Sequence, residues 1–148
     1  MPRYAENHRL PYSPAQMFEL VSDVAKYPQF LPWCQGARVW KREGNVIYAD
    51  LIIGFKMFRE QFTSKVTLNA PDRISVEYVK GPLKHLVNDW KFVENPEGGC
   101  IIDFLVDFEF KSHLFERLVG GLFSDAVHHM IHSFETRADE LYGQPKLR

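Results

Sequence analysis

The sequence predicts an α+β fold in which a curved antiparallel sheet of about seven strands wraps one long C-terminal helix, with short helices after the first strand. Three observations predict it. From about residue 35 to 111, apolar and polar residues alternate with a period of two, the mark of half-buried strands. Residues 113–142 then switch to helical spacing and keep it. Ahead of the meander, a capped helix start leads into an apolar segment bracketed by two prolines.

The elements follow in order. A strand is expected at 3–10. Ser13 is then an N-cap, Pro14 takes the first helical position and Gln16 closes a capping box, with Tyr12 and Met17 placed for a hydrophobic staple. The helix over 14–24 turns Met17, Leu20, Val21 and Val24 to one side. Tyr27-Pro28-Gln29-Phe30-Leu31-Pro32-Trp33-Cys34 follows. Pro28 and Pro32 lack amide hydrogens and restrict the residues before them, so no regular element is expected through it. A loop this apolar plugs a core, lines a cavity or meets a membrane.

In the run 58–68, Phe58, Phe62, Val66 and Leu68 share one parity against Arg59, Gln61, Thr63, Lys65 and Thr67. Ile74, Val76 and Tyr78 do the same in 72–80, Leu86, Asn88, Trp90 and Phe92 in 84–93, and Ile102, Phe104, Val106, Phe108 and Phe110 in 100–110. Turn signals at 43–45, 70–72, 80–82 and 95–99 separate the runs. The terminal helix places Phe115, Val119, Leu122, Phe123, Ala126, Met130, Phe134 and Leu141 on one side. At 1.5 Å per residue it would be ~45 Å long, against about 38 Å for a compact domain of this size. A bend or break is therefore expected at Gly120-Gly121, and a stop at Gly143 and Pro145. A one-sided sheet must cover its apolar face. Only this helix is big enough, and a bent sheet around one helix leaves a space between them.

The 148 residues read as one domain over 1–148, with an ordered core at about 3–143 and a short tail at 144–148. Twelve Phe, six Tyr and three Trp make it aromatic-rich, and a net charge of −1 gives no electrostatic footprint for DNA. Cys34 and Cys100 fit no metal spacing or disulfide framework and read as two reduced thiols. The first residues form no apolar signal core, and no run approaches the ~20 apolar residues of a spanning helix. The expected location is the cytoplasm, with peripheral contact at the inner membrane.

Candidate functional residues lie where the alternation breaks. Glu60 shares the parity of Phe62, Asn88 that of Trp90, and Arg137 projects beside Ala126 and Met130 on the apolar helix face. Buried polar groups need partners, so these are polar interior candidates that pair with each other, with water or with a ligand. His128 and His132 have ligand spacing but sit on the polar helix face without a third ligand, and read as solvated. There is no phosphate loop, serine elbow or paired carboxylate. The expectation is no enzyme, no catalytic residue, no metal and no cofactor.

The segment Tyr27-Pro28-x-Phe30-Leu31-Pro32-Trp33-Cys34 resembles the signature of the coenzyme Q-binding branch of the START-like superfamily of polyketide cyclases/dehydrases and lipid transport proteins. The likeness continues through Val79-Lys80-Gly81-Pro82, Trp90-x-Phe92, Cys100, Phe108-Glu109-Phe110 and Phe134-x-x-Arg137-Ala138-x-x-Leu141-Tyr142-Gly143. Proteins named ribosome-association toxins also fall in this family. The resemblance implies a helix-grip fold with a tunnel between sheet and helix, and ubiquinone or a related polyprenyl lipid in the tunnel.

On the parity and wheel reading, Phe62, Val66, Trp90, Phe104, Leu122, Met130 and Phe134 would sleeve an isoprenoid tail. Quinone carbonyls only accept hydrogen bonds, so Trp33, Trp90, Tyr78, Asn88 and Arg137 are the candidate donors. Phe30, Leu31 and Trp33 would gate the tunnel mouth and touch a bilayer. Three function classes stay open: a quinone or lipid carrier supporting respiratory electron transport, which leads; a ribosome-binding inhibitor of subunit association, with the large subunit as partner; and a polyketide cyclase/aromatase-like enzyme using Glu60 and Arg137. The oligomeric state is not readable.

Overall fold

The computed structural model describes residues 3–31, 33–55 and 58–143, the side chains at 55, 58, 115, 118–120, 122–124, 126 and 127 excepted. The expectations placed on Pro32, Phe58, Phe115, Val119, Leu122, Phe123, Ala126 and Pro145, and on the tail, lie outside the described residues. Seven strands form one antiparallel sheet: β1 (Arg3–Leu10), β2 (Cys34–Glu43), β3 (Val46–Phe55), β4 (Phe58–Asn69), β5 (Arg73–Lys80), β6 (Leu83–Glu94) and β7 (Cys100–Phe110). Helix α1 (Pro14–Ser22) and a 3-10 helix (Val24–Gln29) follow β1, and α2 (His113–Tyr142) ends the fold. The spatial order is β1-β7-β6-β5-β4-β3-β2. The meander therefore runs unbroken from β2 to β7, and β1 closes onto β7 with Leu10 opposite Cys100.

The start of α1 is as its residues dictate. The Gln16 amide donates to Ser13 Oγ at 3.1 Å, and the Ser13 amide donates to Gln16 Oε1 at 2.9 Å. Such a cap contributes about 1 kcal/mol. Met17, Leu20 and Val21 are buried, and Phe18 meets the Phe92 ring edge-on at 6.0 Å, which seats α1 on β6. The helix stops at Ser22, two residues short of expectation. The segment after it is more regular than predicted, because a 3-10 helix takes in Pro28 and ends at Gln29. Pro28 donates no amide here, and the Phe30 and Leu31 amides close the turn on the Tyr27 carbonyl at 3.2 and 2.9 Å.

Every even residue of β7 from Cys100 to Phe110 is buried, and the odd ones are only partly so. Irregularities at Cys34/Gly36, Val39/Lys41, Thr63/Ser64 and Leu83/His85 bend the strands carrying them. At the β6–β7 turn, Gly99 has φ +78°, and a Cβ there would lie 2.0 Å from the Leu10 carbonyl oxygen. Only glycine fits.

Helix α2 runs without the break expected at Gly120-Gly121. Leu114 near its start is 66% and Leu141 50% exposed, while Tyr142 at its end packs on the Tyr12 ring at 6.0 Å. Among the described residues the helix buries Ile131, Phe134 and Ala138. Of the predicted face, Phe134 is buried and Met130 partly so, whereas Leu141 is exposed.

Candidate functional site

Between the inner face of the sheet and α2 lies a cavity of about 90 Å³. Alternation and register bring its walls together. Ala49 stands opposite Ser64, Val66 opposite Val76, Val76 opposite Asn88, and Ile74 opposite Trp90, so four strands present these side chains in one inward patch. Leu51 completes the sheet wall. Val24, Tyr27, Leu31 and Trp33 close one side from the proline-bracketed segment, and Met130 and Phe134 close the other from α2.

Asn88 is fixed at both ends of its amide. Its Nδ2 donates to the Leu105 carbonyl, and its Oδ1 accepts the Trp90 indole N–H, both at 2.9 Å. One amide hydrogen is left uncommitted among the described residues. The Ser64 hydroxyl, on the same wall and 9% exposed as a residue, has no hydrogen-bond partner among them either. Trp90 is held by rings on three sides: Phe104 at 4.8 Å, Phe134 at 5.2 Å and Phe92 at 6.3 Å. Tyr27 donates its hydroxyl to the Val21 carbonyl, and burial, then the neighbouring Cys34 and Asp23, hold its ionisation far above the ordinary tyrosine range. No carboxylate, histidine, lysine or arginine occurs among the described lining residues.

Of the residues chosen from sequence, Leu31, Trp33, Val66, Asn88, Trp90, Met130 and Phe134 share this cavity. Phe104 backs Trp90, and Phe62 packs on the Tyr78 ring at 6.4 Å. Tyr78 is committed elsewhere, because its hydroxyl accepts the Leu83 amide at 2.9 Å across the β5–β6 turn. Phe30 lies on the far side of Phe134, with the Arg137 guanidinium 5.3 Å from its ring, in a separate surface groove with Glu19 and Tyr142. Leu122 lies outside the described side chains.

Arg137 is not an interior group. Its guanidinium donates to Gln29 Oε1 at 2.6 Å and to Glu140 Oε1 at 3.2 Å. The helical wheel placed its Cα correctly beside Met130, but the long side chain, 19% exposed, lays its charge over the Phe30 ring in the surface groove and not in the cavity. Glu60 is half-buried opposite Ile53, and its charge is one of the influences that raise Tyr78. Glu60 and Arg137 do not pair.

Val24, Tyr27, Ala49, Leu51, Ser64, Ile74 and Val76 also line the cavity and were missed. Ser64 carries a usable signal, since it stands between Phe62 and Val66 on the inward parity, where a small polar residue makes room.

The remaining titratable groups form no site. Cys34 and Cys100 are buried, separate thiols, each pushed up to about 11 by burial, which for Cys34 outweighs its contact with the Gly36 carbonyl. His128 leans on the Tyr4 ring and lies 3.5 Å from Glu6. Among the described residues no cluster of His, Cys, Asp or Glu is arranged to hold a metal. Among them, too, no helix is long and apolar enough to cross a membrane.

The family model described as polyketide cyclase / dehydrase and lipid transport matches residues 10–135. The ribosome association toxin RatA of Escherichia coli K12 is 35% identical, over 97% of this chain and 90% of its own. A mitochondrial coenzyme Q-binding protein, COQ10 homolog B of Xenopus laevis, is 32% identical over 97% of this chain and 61% of its own. Among solved structures, an 18 kDa protein from Caulobacter crescentus is 36% identical, with a TM-score of 0.76 over 97% of this chain and all of its own. The Zhui aromatase/cyclase from Streptomyces superposes with a TM-score of 0.82 over 93% of both chains at 10% identity, which shows a shared fold alone.

Proposed function

The chain belongs to the polyketide cyclase / dehydrase and lipid transport family, and from that premise we propose that it holds ubiquinone or a related polyprenyl lipid in the cavity under α2. It acts as a carrier supporting respiratory electron transport, at the cytoplasmic side of a membrane, and not as an enzyme. The observation that carries this reading is the lining: among the described residues it is apolar, with the spare hydrogens of Ser64 and Asn88 as its polar points and no carboxylate, histidine, lysine or arginine. A quinone ring offers two acceptors and no donor, and a prenyl tail asks only for apolar surface. The name of the COQ10 relative supports the same class of ligand.

The cavity is small for that cargo. About 90 Å³ is the share of roughly three water molecules, whereas about 150 Å³ is needed to take a benzene ring. Loading therefore widens it. Met130, unbranched and only partly buried, is the wall best able to yield.

Organic extraction of protein purified from its own host, with mass spectrometry of the extract, tests the reading. A prenyl quinone at near one equivalent is expected; protein that is empty and ignores added quinone contradicts it.

The RatA likeness favours a second reading, association with the ribosomal large subunit. It predicts co-sedimentation with free large subunits in a low-salt gradient. The cyclase alternative loses its acid–base pair, since Glu60 and Arg137 neither meet nor line the cavity.

A further inference from the structure

One end of the sheet carries charge and exposed aliphatic surface that the cavity does not use. A concavity of about 450 Å³ lies at the β5–β6 turn, with Lys80, Lys84 and Lys111 on its rim. The Lys111 amide donates to the Pro82 carbonyl at 3.3 Å, which joins the start of α2 to this turn. Lys80 and Lys111 have no ion-pair partner among the described residues, and Lys84 reaches Glu109 only at 3.9 Å with its side chain 68% exposed. Glu77 is the one carboxylate lining the concavity. Beside the lysines, Val79 is 52% and Val87 47% exposed, and Leu114 projects three residues beyond Lys111.

The turn is rigid. Gly81 has φ +148°, and a Cβ there would come within 2.9 Å of the Gln61 carbonyl oxygen and 2.8 Å of the Tyr78 hydroxyl, which itself holds the Leu83 amide. The lysines are thus presented on a fixed frame. The register also places them at the cavity's Trp33 end. Lys80 stands opposite Thr63 on β4, Gly54 opposite Arg59 further along the same strands, and the Gly54 amide donates to the Trp33 carbonyl at 2.9 Å. At the other end the charges are mixed: Arg42, Glu43, Asp72, Arg73, Glu94 and Glu97 stand in or beside the turns 44–45, 70–72 and 95–99, and Arg73 is paired with Asp89.

We infer that this end of the sheet docks on an anionic phospholipid surface, through Lys80, Lys84 and Lys111 with Val79 and Leu114 seated among the headgroups. The inference rests on the lipid-carrier reading and deepens it. Anionic lipid attracts clustered lysines, and aliphatic side chains between them add buried apolar area at the headgroup boundary. A single-stranded nucleic acid would call instead for exposed aromatic platforms between the cations; the two rings lining the concavity, Tyr78 and His85, are only partly exposed and are held by the Leu83 amide and Asp107. Docked this way, the protein turns the Trp33 side of the cavity towards the reservoir of its ligand.

The test is co-sedimentation of the full chain with vesicles of phosphatidylcholine alone and of phosphatidylcholine mixed with phosphatidylglycerol, with a ribosomal RNA fragment as a parallel probe. The expected result is binding to the anionic vesicles only, weakened by salt and reduced about tenfold or more by combined Lys80→Glu, Lys84→Glu and Lys111→Glu. Val79→Asp reduces it too, with circular dichroism and quinone retention unchanged in both variants. Equal vesicle binding by the charge-reversed protein, binding to neither vesicle, or binding to RNA in place of vesicles overturns the inference. Quinone retention is read separately in the same samples, so a loss of docking is distinguished from a failure of the carrier reading.

Discussion

The inward row of β7 and the inward rows of β3 to β5 follow the same alternation and reach opposite ends. On β7 the row is Cys100, Ile102, Phe104, Val106, Phe108 and Phe110, all buried in a filled core. On β3 to β5 it includes Ala49, Leu51, Ser64, Val66, Ile74 and Val76, and these border a cavity. Polarity pattern decides which face of a strand is buried; side-chain volume decides whether the buried face becomes core or container. The helix bridges the two regimes, with Phe134 against Trp90 and Met130 against the space.

Truncation should separate the two sides most sharply. Phe108, 1% exposed and flanked by Phe110 at 5.8 Å and Tyr4 at 6.3 Å, sits on the filled side. Phe108→Ala is expected to cost about 3–5 kcal/mol in urea denaturation, and Met130→Ala, on an existing cavity, about 2 kcal/mol or less. Equal losses would break the comparison.

Asn88→Ala comes next. It strands the Trp90 indole and the Leu105 carbonyl together, at about 1–3 kcal/mol. A neutral result would mean that the amide is free to serve a ligand alone and does not clamp the cavity wall.

The smallest effect lies away from both regions, where Tyr12 and Tyr142 tie the end of α2 to the body. Tyr12 donates to Asp139, and that bond, then burial, pushes its ionisation up to about 12. Tyr142 is pushed up to about 12 by burial and by its bond to Glu19. Both phenols are favoured neutral by the folded state. Their contribution is therefore complete below the ordinary tyrosine value of about 10 and is lost as pH rises from there towards about 12. Tyr12→Phe is expected to cost about 1 kcal/mol at neutral pH and to flatten the alkaline fall in melting temperature.

The fold was legible because each signal was local. Ser13 and Gln16 marked the first helix, alternation marked the strands, and helical spacing marked 113–142. The site was legible where parity alone decides a wall, as for Val66, Asn88 and Trp90. It was not legible where reach or packing decides. Arg137 lays its charge over the Phe30 ring outside the cavity, Phe30 packs on the outer side of Phe134, and Tyr78 is captured by a turn whose geometry depends on Gly81. The cavity itself depends on Ala49 and Ser64. These are two small residues whose meaning appears only when the register sets them opposite each other.

The central claim is that this small-residue patch holds the ligand. The direct test is a fluorescence titration with a short-chain ubiquinone in a Trp40→Phe background, which leaves Trp33 and Trp90, both on the cavity, as the reporters. Saturable quenching at one equivalent is predicted, with affinity weakened about tenfold or more, roughly 1.4 kcal/mol, when Ala49→Ile fills the patch without unfolding the protein. Absence of saturable quenching, or undiminished affinity in folded Ala49→Ile protein, would contradict the account.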